Sequence, residues 1–397
     1  MFGDPSSFTQ QLEPVTSKSL QGHLGHLDAT QEKALMDFKR LLEEKGYYAP
    51  ASGGRDASHD DVDLVRFLRA RRFEPAGAFA QFSSAQDWRK SAKVDELYDT
   101  FSLEEYDMAR ALYPQWTGRR DKAGLPVYLF KVGALTKDKT DKYIKATNER
   151  LDERMVALYE NMVQFVVPIC SSTPHEHNET PVSGCATMVD ISGVSLKRFW
   201  DLKSHMQRAS TLASAHYPET LGAIYLIGAP NFFSVVWGWV KKWFDPGTVE
   251  KIHILPSDRT AALSILTAHI PPSSIPCSYG GELDWDFGSP APNLDAELQK
   301  SLGREECPAG PMRWDSKKGM AKVVGEGRSQ WVEKQGTGQA AEDAASAPAP
   351  GQGGESAAAP TSAADEKDVF VTPPSSPSAI EPTEASLAQR LEETKLQ

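Results

Sequence analysis

Residues 215–255, AHYPETLGAIYLIGAPNFFSVVWGWVKKWFDPGTVEKIHIL, constrain this chain more than any other stretch. Ile224-Tyr225-Leu226-Ile227 is a short apolar run that stops at Gly228. Such a run reads as a strand buried on both faces, as in a parallel sheet. The segment from Phe232 to Phe244 is helix-length and greasy on nearly every side, and Asp245-Pro246-Gly247 closes it. Ile252-His253-Ile254-Leu255 then resumes as a strand. Trp237, Trp239 and Trp243 fall within seven residues. They require an apolar partner, which can be core, ligand or membrane.

Composition narrows the choice. A net charge of −11 over 397 residues argues against nucleic acid as the main partner, because phosphate binding relies on clustered Lys and Arg. Cys170, Cys185, Cys277 and Cys307 are widely spaced without a CxxC pair, which speaks against zinc and against a disulfide scaffold. The opening MFGDPSSFTQ has neither a basic n-region nor an apolar h-region, so no secretory signal is expected. The apolar run after Phe232 falls short of the ~20 residues that span a bilayer. A reducing cytosol fits best.

Residues 1–22 are expected to be disordered. In LDATQEKALMDFKRLLEEKG, residues 27–46, Asp28 is an N-cap with Gln31 at capping-box spacing. Leu35, Phe38 and Leu42 share one helical face, and Gly46 is a plausible stop. A second helix, VDLVRFLRARRF, buries Val62, Val65 and Leu68 or their neighbours and displays Arg66, Arg69, Arg71 and Arg72. A third runs over roughly 75–90, which makes 23–95 a helical module. From 103 the pattern alternates. Strands at Pro126–Phe130, Thr187–Ile191, Ile224–Ile227 and Ile252–Leu255 are separated by long helices at 139–170 and at Leu196 to Tyr217. That order indicates an α/β fold with a parallel sheet over 103–285. Residues 286–334 read as an irregular extension. The Ala-, Pro- and Gly-rich stretch over 335–397 lacks the large apolar groups needed to fold.

Catalytic chemistry finds little footing. Neither GxGxxG nor GxxxxGK[ST] occurs, so no dinucleotide or P-loop site is expected. Cys170, His175, His177 and Cys185 invite a metal or Cys–His reading, but the two histidines sit in a polar loop between Pro174 and Pro181. A hydrolase built on Cys170 and Asp190 lacks a nucleophile elbow. No catalytic residue, metal or cofactor is assigned. Arg71-Arg72 reads either as an exposed helix end or as half of an anion site. Glu219 and Lys251 each precede a buried strand, so neighbouring strands would bring an acid and a base to one sheet edge. The competing reading is a surface salt bridge, worth about 0–1 kcal/mol.

Several motifs together resemble the CRAL-TRIO lipid-transfer family. They are LVRFLRARRFEP at 64–75, WRK at 88–90, YPQW at 113–116, DKAGLPVY at 121–128, MVDISG at 188–193, YPETLG at 217–222, the Trp-rich segment and YGGE at 279–282. The match covers roughly 25–285, and LDATQEKAL at 27–35 is similar to the fungal secretory-pathway phosphatidylinositol transfer proteins. The resemblance implies a helical N-terminal lobe and a second lobe whose sheet floors a lipid pocket behind a helical gate. Arg71, Arg72, Glu219, Thr248 and Lys251 match that subgroup's phosphatidylinositol-headgroup positions.

A second-ligand region would involve Thr117, Tyr128, Cys185 and Thr187. Better-known members carry a Ser-x-Thr pair where this chain has Cys185-Ala186-Thr187, and a tyrosine where Thr117 stands. A thiol is a weaker donor than a hydroxyl, and Thr117 removes an aromatic face for a choline cation. Both changes weigh against phosphatidylcholine as the second ligand and leave the volume open to a sterol-like, hydrocarbon or haem ligand as alternatives. The gate would be the 232–244 helix, with Phe232, Val236, Trp239 and Trp243 on one face and Lys241 and Lys242 towards anionic headgroups. Gly228, Asp245, Pro246 and Gly247 are its hinge points. The function implied is a monomeric, non-enzymatic carrier that binds phospholipid, contacts Golgi or endosomal membranes transiently from the cytoplasm, and presents phosphatidylinositol to a phosphoinositide kinase in vesicle traffic. The alternative is a lipid-sensing adaptor whose tail recruits a partner.

Overall fold

The computed structural model describes residues 20–136, 150–230, 232–244 and 246–334. The expected disordered ends, the first part of the 139–170 helix and Asp245 lie largely or wholly outside that set.

Helix α1 spans Ala29–Glu44. Its capping box is complete: Gln31 N–H donates to the Asp28 carboxylate at 2.9 Å, and the Asp28 N–H donates to the Gln31 side chain at 3.0 Å. Helix α2, Asp61–Ala70, buries Leu64, Val65, Phe67 and Leu68 and is capped by Asp60. Helix α3, Pro75–Ser91, starts on a proline whose missing N–H costs nothing in a first turn. Phe82 is its anchor, meeting Phe38 and Phe67 edge-on at centroid distances of 5.9 and 5.0 Å. Helices α4 (Val94–Thr100) and α5 (Leu103–Arg110) lead into the sheet.

The main sheet has five strands in the order β1 (Gln115–Arg120), β2 (Pro126–Lys131), β3 (Cys185–Asp190), β4 (Leu221–Ile227) and β5 (Ile252–Ile254). Only the β1–β2 pair is antiparallel. Between β2 and β3 run α6 (Leu151–Asn161), a π-helical turn over Met162–Val166, and α7 (Val167–Ser172). The crossover from β3 to β4 is expected to be one helix and is two, α8 (Leu196–Asp201) and α9 (Lys203–His216). Leu202 at the break turns a nearly buried side chain inward. From β4 to β5 run α10 (Phe233–Val240), a 3₁₀ turn over Lys241–Trp243 and the short α11 (Pro246–Glu250).

Register divides the side chains between two faces. Leu129, Met188 and Tyr225 are aligned neighbours and point one way, with Val127 and Ala186 beside them. All five are at most 2% exposed and pack under α12, Arg259–His269. Tyr128, Thr187, Ile224 and Ile252 align on the other face. There Tyr128, Phe130, Val189, Ile224, Ile252 and Ile254 are only half-buried, although β4 is flanked on both sides. Within β4 itself only Tyr225 and Leu226, one on each face, are buried, so the expectation of a strand buried on both faces holds at those two residues and fails along the rest. Apolar content marks a strand as interior but does not say whether its cover touches it.

The 286–334 stretch is more regular than expected. It holds α13 (Ala296–Leu302) and a second antiparallel sheet of β6 (Met312–Asp315), β7 (Met320–Val323) and β8 (Gln330–Trp331). Strands this short and this charged carry no readable alternation. Tyr98 fixes the extension in place: its hydroxyl donates to Met312 O at 2.7 Å and accepts from Met312 N at 3.0 Å. A buried charge pair joins α3 to α6. Arg89 donates to both oxygens of the fully buried Glu160, at 2.7 and 2.8 Å, and Tyr217 OH donates to the same carboxylate at 2.6 Å. The Gln164 amide donates to it as well, so four donors meet the buried carboxylate, as its burial demands.

Candidate functional site

The parallel pairing of β4 with β5 brings Ile224 opposite Ile252, and Ile224 N–H donates to Lys251 O at 2.8 Å. Residues just upstream of the two strands therefore share one sheet edge. There the Lys251 ammonium stands 3.0 Å from Glu219 Oε2, and Arg69 Nη2 stands 3.1 Å from the same oxygen. Side-chain exposures of 23, 20 and 17% for Lys251, Glu219 and Arg69 put the triad in a recess. Glu219 is held at φ +58°, a left-handed conformation that costs a side chain about 1 kcal/mol. The turn around it is braced by Thr220, whose hydroxyl donates to Tyr217 O at 2.9 Å and whose carbonyl accepts from Cys185 N at 2.9 Å.

Two cations on one carboxylate leave a net positive charge. Burial lowers the Arg69 pKa against the pull of Glu219. His23 lines the same cleft with Val65, Arg69 and Pro181. Burial, and after it the Arg69 cation, holds His23 down at about 4, so near neutrality it adds no charge. Such a recess accepts anions and rejects further cations.

Arg69 was visible in the sequence only as one of four arginines displayed by α2. Its place in the triad comes from the turn on which Glu219 is presented, which no helical periodicity encodes. Arg71 and Arg72 follow at the exposed end of α2, where the Arg71 guanidinium donates to Ala70 O at 3.1 Å. Arg72 has φ +52°. Thr248 lies half-buried in α11, one turn before Lys251, whose N–H donates to Thr248 O at 3.1 Å.

Tyr128, Cys185 and Thr187 share the half-filled face, with Cys185 Sγ 3.8 Å from Thr187 Oγ1. Thr117 is elsewhere. It is fully buried in a bulge of β1, where its hydroxyl donates to Val127 O at 2.9 Å and accepts from Arg119 N at 3.2 Å. Among the described residues no cluster of three or more metal-ligating side chains forms. His177 instead stands 3.4 Å and His26 3.2 Å from Glu179.

Helix α10 covers the half-filled face. Its inward stripe is Phe233, Val236 and Val240, at 5, 2 and 4% exposure, packed with Leu226, Phe199 and Leu202. The expected stripe of Phe232, Val236 and Trp239 is rotated. Phe232 and Trp239 are half-buried, and Trp237 stacks on Phe233 at 6.1 Å. A helix greasy on all sides gives its period no preferred face. The Trp243 side chain lies outside the described residues. Lys241 and Lys242 are exposed, as is Gly247, and Pro246 opens α11. Gly228 has φ +67°. Among the described residues no helix is long and apolar enough to cross a membrane.

The family model for the CRAL/TRIO domain matches residues 112–281, and that for the CRAL/TRIO N-terminal domain matches 26–84. The SEC14 cytosolic factor of Kluyveromyces lactis is 34% identical over 266 residues, covering 67% of this chain and 83% of that protein. The Sec14 cytosolic factor of Schizosaccharomyces pombe is 32% identical over 278 residues, covering 70% and 89%. The phosphatidylinositol/phosphatidylcholine transfer protein SFH7 of Arabidopsis thaliana is 34% identical over 226 residues, covering 56% of this chain and 40% of that protein. Among solved structures, that of Sfh5 superposes with a TM-score of 0.48 at 17% identity, covering 72% and 93%.

Proposed function

The chain belongs to the CRAL/TRIO family, and from that premise we propose that it is a phosphatidylinositol-exchange protein. It would take phospholipid from a membrane into the space between the half-filled sheet face and α10. The observation that carries the reading is the recessed triad of Arg69, Glu219 and Lys251, beside the edge where β3, β4 and β5 begin. An inositol phosphate needs a cation for its phosphodiester and a carboxylate for its hydroxyls. Lys251 and Arg69 meet the first need and Glu219 the second. Thr248 supplies a hydroxyl one turn away, and Arg71 and Arg72 add positive field at the end of α2.

Energetics explain the greasy cover. A two-chain lipid exposes some thirty methylenes, so its transfer to water costs more than ~20 kcal/mol at about 0.8 kcal/mol each. No headgroup contact offsets that. The carrier replaces bilayer with equal apolar area, and exchange then runs without a chemical step. Helix α10 is the proposed gate, with half-buried Trp239 and exposed Lys241 and Lys242 meeting the membrane. Delivery of phosphatidylinositol to a phosphoinositide kinase at Golgi or endosomal membranes is the proposed cellular use.

Transfer between vesicles, followed by native mass spectrometry of the recovered protein, tests the reading. Phosphatidylinositol should be the bound species, and Lys251→Ala should carry it at least about tenfold less well, a loss of about 1.4 kcal/mol. A folded Lys251→Ala protein that carries phosphatidylinositol as well as the wild type would refute the site.

A further inference from the structure

The turn that presents Glu219 is gripped by residues outside the ion triad. Tyr217, two positions earlier and 4% exposed, caps the end of α9. Its hydroxyl donates to Glu160 Oε1 of α6 at 2.6 Å, and that fully buried carboxylate takes two nitrogens of Arg89 from α3. Helix α3 adds two further holds on the same place. Gln81 Nε2 donates to Ser214 O at 2.8 Å, one of the last carbonyls of α9, which a helix end leaves without an intrahelical partner. Trp88 stacks on His216 at 3.7 Å and 12°. Gln81 and Trp88 lie two helical turns apart on one face of α3. Thr220 closes the turn from the other end, its hydroxyl donating to Tyr217 O at 2.9 Å.

We propose that Arg89, Glu160 and Tyr217 are positioning residues for Glu219, and that through it they set the preference for an inositol headgroup over a bare phosphate. The proposal rests on the phosphatidylinositol reading above and adds the residues that make that site selective. Glu219 sits at φ +58°, and such a conformation persists only where its surroundings over-determine it. Two sets of contacts do so here. Arg69 and Lys251 hold the carboxylate end of the residue, but a lipid phosphate competes for those same cations. Once the phosphate has taken them, the backbone brace alone keeps the carboxylate in the recess for the ring hydroxyls. The brace therefore matters most when ligand is bound.

The brace is built to resist yielding. Arg89 is shared between Glu160 and Asp95, the latter at 2.6 Å. Gln164, on the π-helical turn that follows α6, donates to Glu160 as well, and such turns are frequent at functional sites. Hydrogen bonds to an ionised partner are the stronger kind. Substituting Arg89 or Glu160 would strand a buried charge. The hydroxyls of Tyr217 and Thr220 are the links that can be cut with the fold intact.

The test uses the full-length protein and vesicles holding phosphatidylinositol and phosphatidic acid in equal amounts. Phosphatidic acid offers the phosphate without the inositol, and native mass spectrometry of the re-isolated protein reads the ratio of the two. Tyr217→Phe and Thr220→Val should each lower the ratio of phosphatidylinositol to phosphatidic acid about tenfold, while Thr220→Ser keeps the wild-type ratio. Leu129→Ala, which weakens the fold elsewhere, should also keep it despite a lower urea midpoint, since a merely structural role would move the ratio in step with stability. Amide exchange over residues 214–221, followed without added lipid, should quicken about tenfold in Tyr217→Phe. A Tyr217→Phe protein, folded by circular dichroism, that keeps the wild-type ratio overturns the proposal, and so does a Leu129→Ala protein whose ratio falls as far. Unchanged amide exchange in Tyr217→Phe overturns it whatever lipid is carried. A wild type that takes up no phosphatidylinositol sinks the exchange reading and with it the claim on selectivity, while amide exchange still decides the brace.

Discussion

The two faces of the five-stranded sheet share a backbone and use it differently. On one, Val127, Leu129, Ala186, Met188 and Tyr225 reach 2% exposure or less beneath α12. On the other, their neighbours Tyr128, Val189, Ile224 and Ile254 remain half-buried, Val189 and Ile254 against α10. Helix α9, in the crossover between β3 and β4, buries none of its own side chains. A parallel sheet ordinarily has both faces packed by helices. A face that is roofed but not filled is a binding surface, and a filled face is a foundation.

Mutation should separate the two. Leu129→Ala on the filled face should cost about 2–5 kcal/mol in a urea titration, and Ile224→Ala, opposite it, less than about 1 kcal/mol because little packing is lost. Equal costs would erase the distinction. The reverse asymmetry is expected in transfer. Arg69→Gln should slow phosphatidylinositol exchange about tenfold with an unchanged urea midpoint, whereas refolded Leu129→Ala should exchange normally per folded molecule. A smaller effect is expected at the roof: Trp239→Asp should reduce the exchange rate by roughly fivefold through weaker membrane docking, measured by vesicle transfer alongside an unchanged melting temperature.

The smallest effect concerns pH. Burial holds His23, beside the triad, and His253, on the filled face, at about 4. Between the usual histidine value of about 6.5 and that depressed value, the unfolded chain binds more protons than the folded one. Stability is therefore full above pH 6.5 and falls as pH drops towards 4. His253→Phe should flatten that slope with exchange intact. His23→Gln should flatten it too, and a variant of either kind that leaves the acid slope unaltered would remove that histidine from the account.

Legibility in the sequence followed the physics of each element. The α1 capping box, the Phe38–Leu42 face and the alternation of strand with helix were readable because they depend on neighbours within a few residues. So was the meeting of Glu219 with Lys251, which needs only that β4 and β5 be adjacent. Arg69 escaped notice because its partner arrives from 150 residues away on a strained turn. The roof was misjudged by part of a turn, since a segment apolar on every side has no preferred face. The break at Leu202 and the β6–β8 sheet were missed for a related reason: each is shorter than the period that would reveal it.

One glycine bears on how such a chain can change over generations. Gly228 ends β4 in a left-handed conformation, and a Cβ there would lie 1.9 Å from Ser192 Oγ and 3.1 Å from its Cα. No single codon change at this position yields a residue that fits. Ser192 would have to shrink first, and the left-handed backbone would still cost the newcomer about 1 kcal/mol. Lineages descending from this sequence can thus vary the roof beyond Gly228 freely, but they must inherit the corner from which it starts.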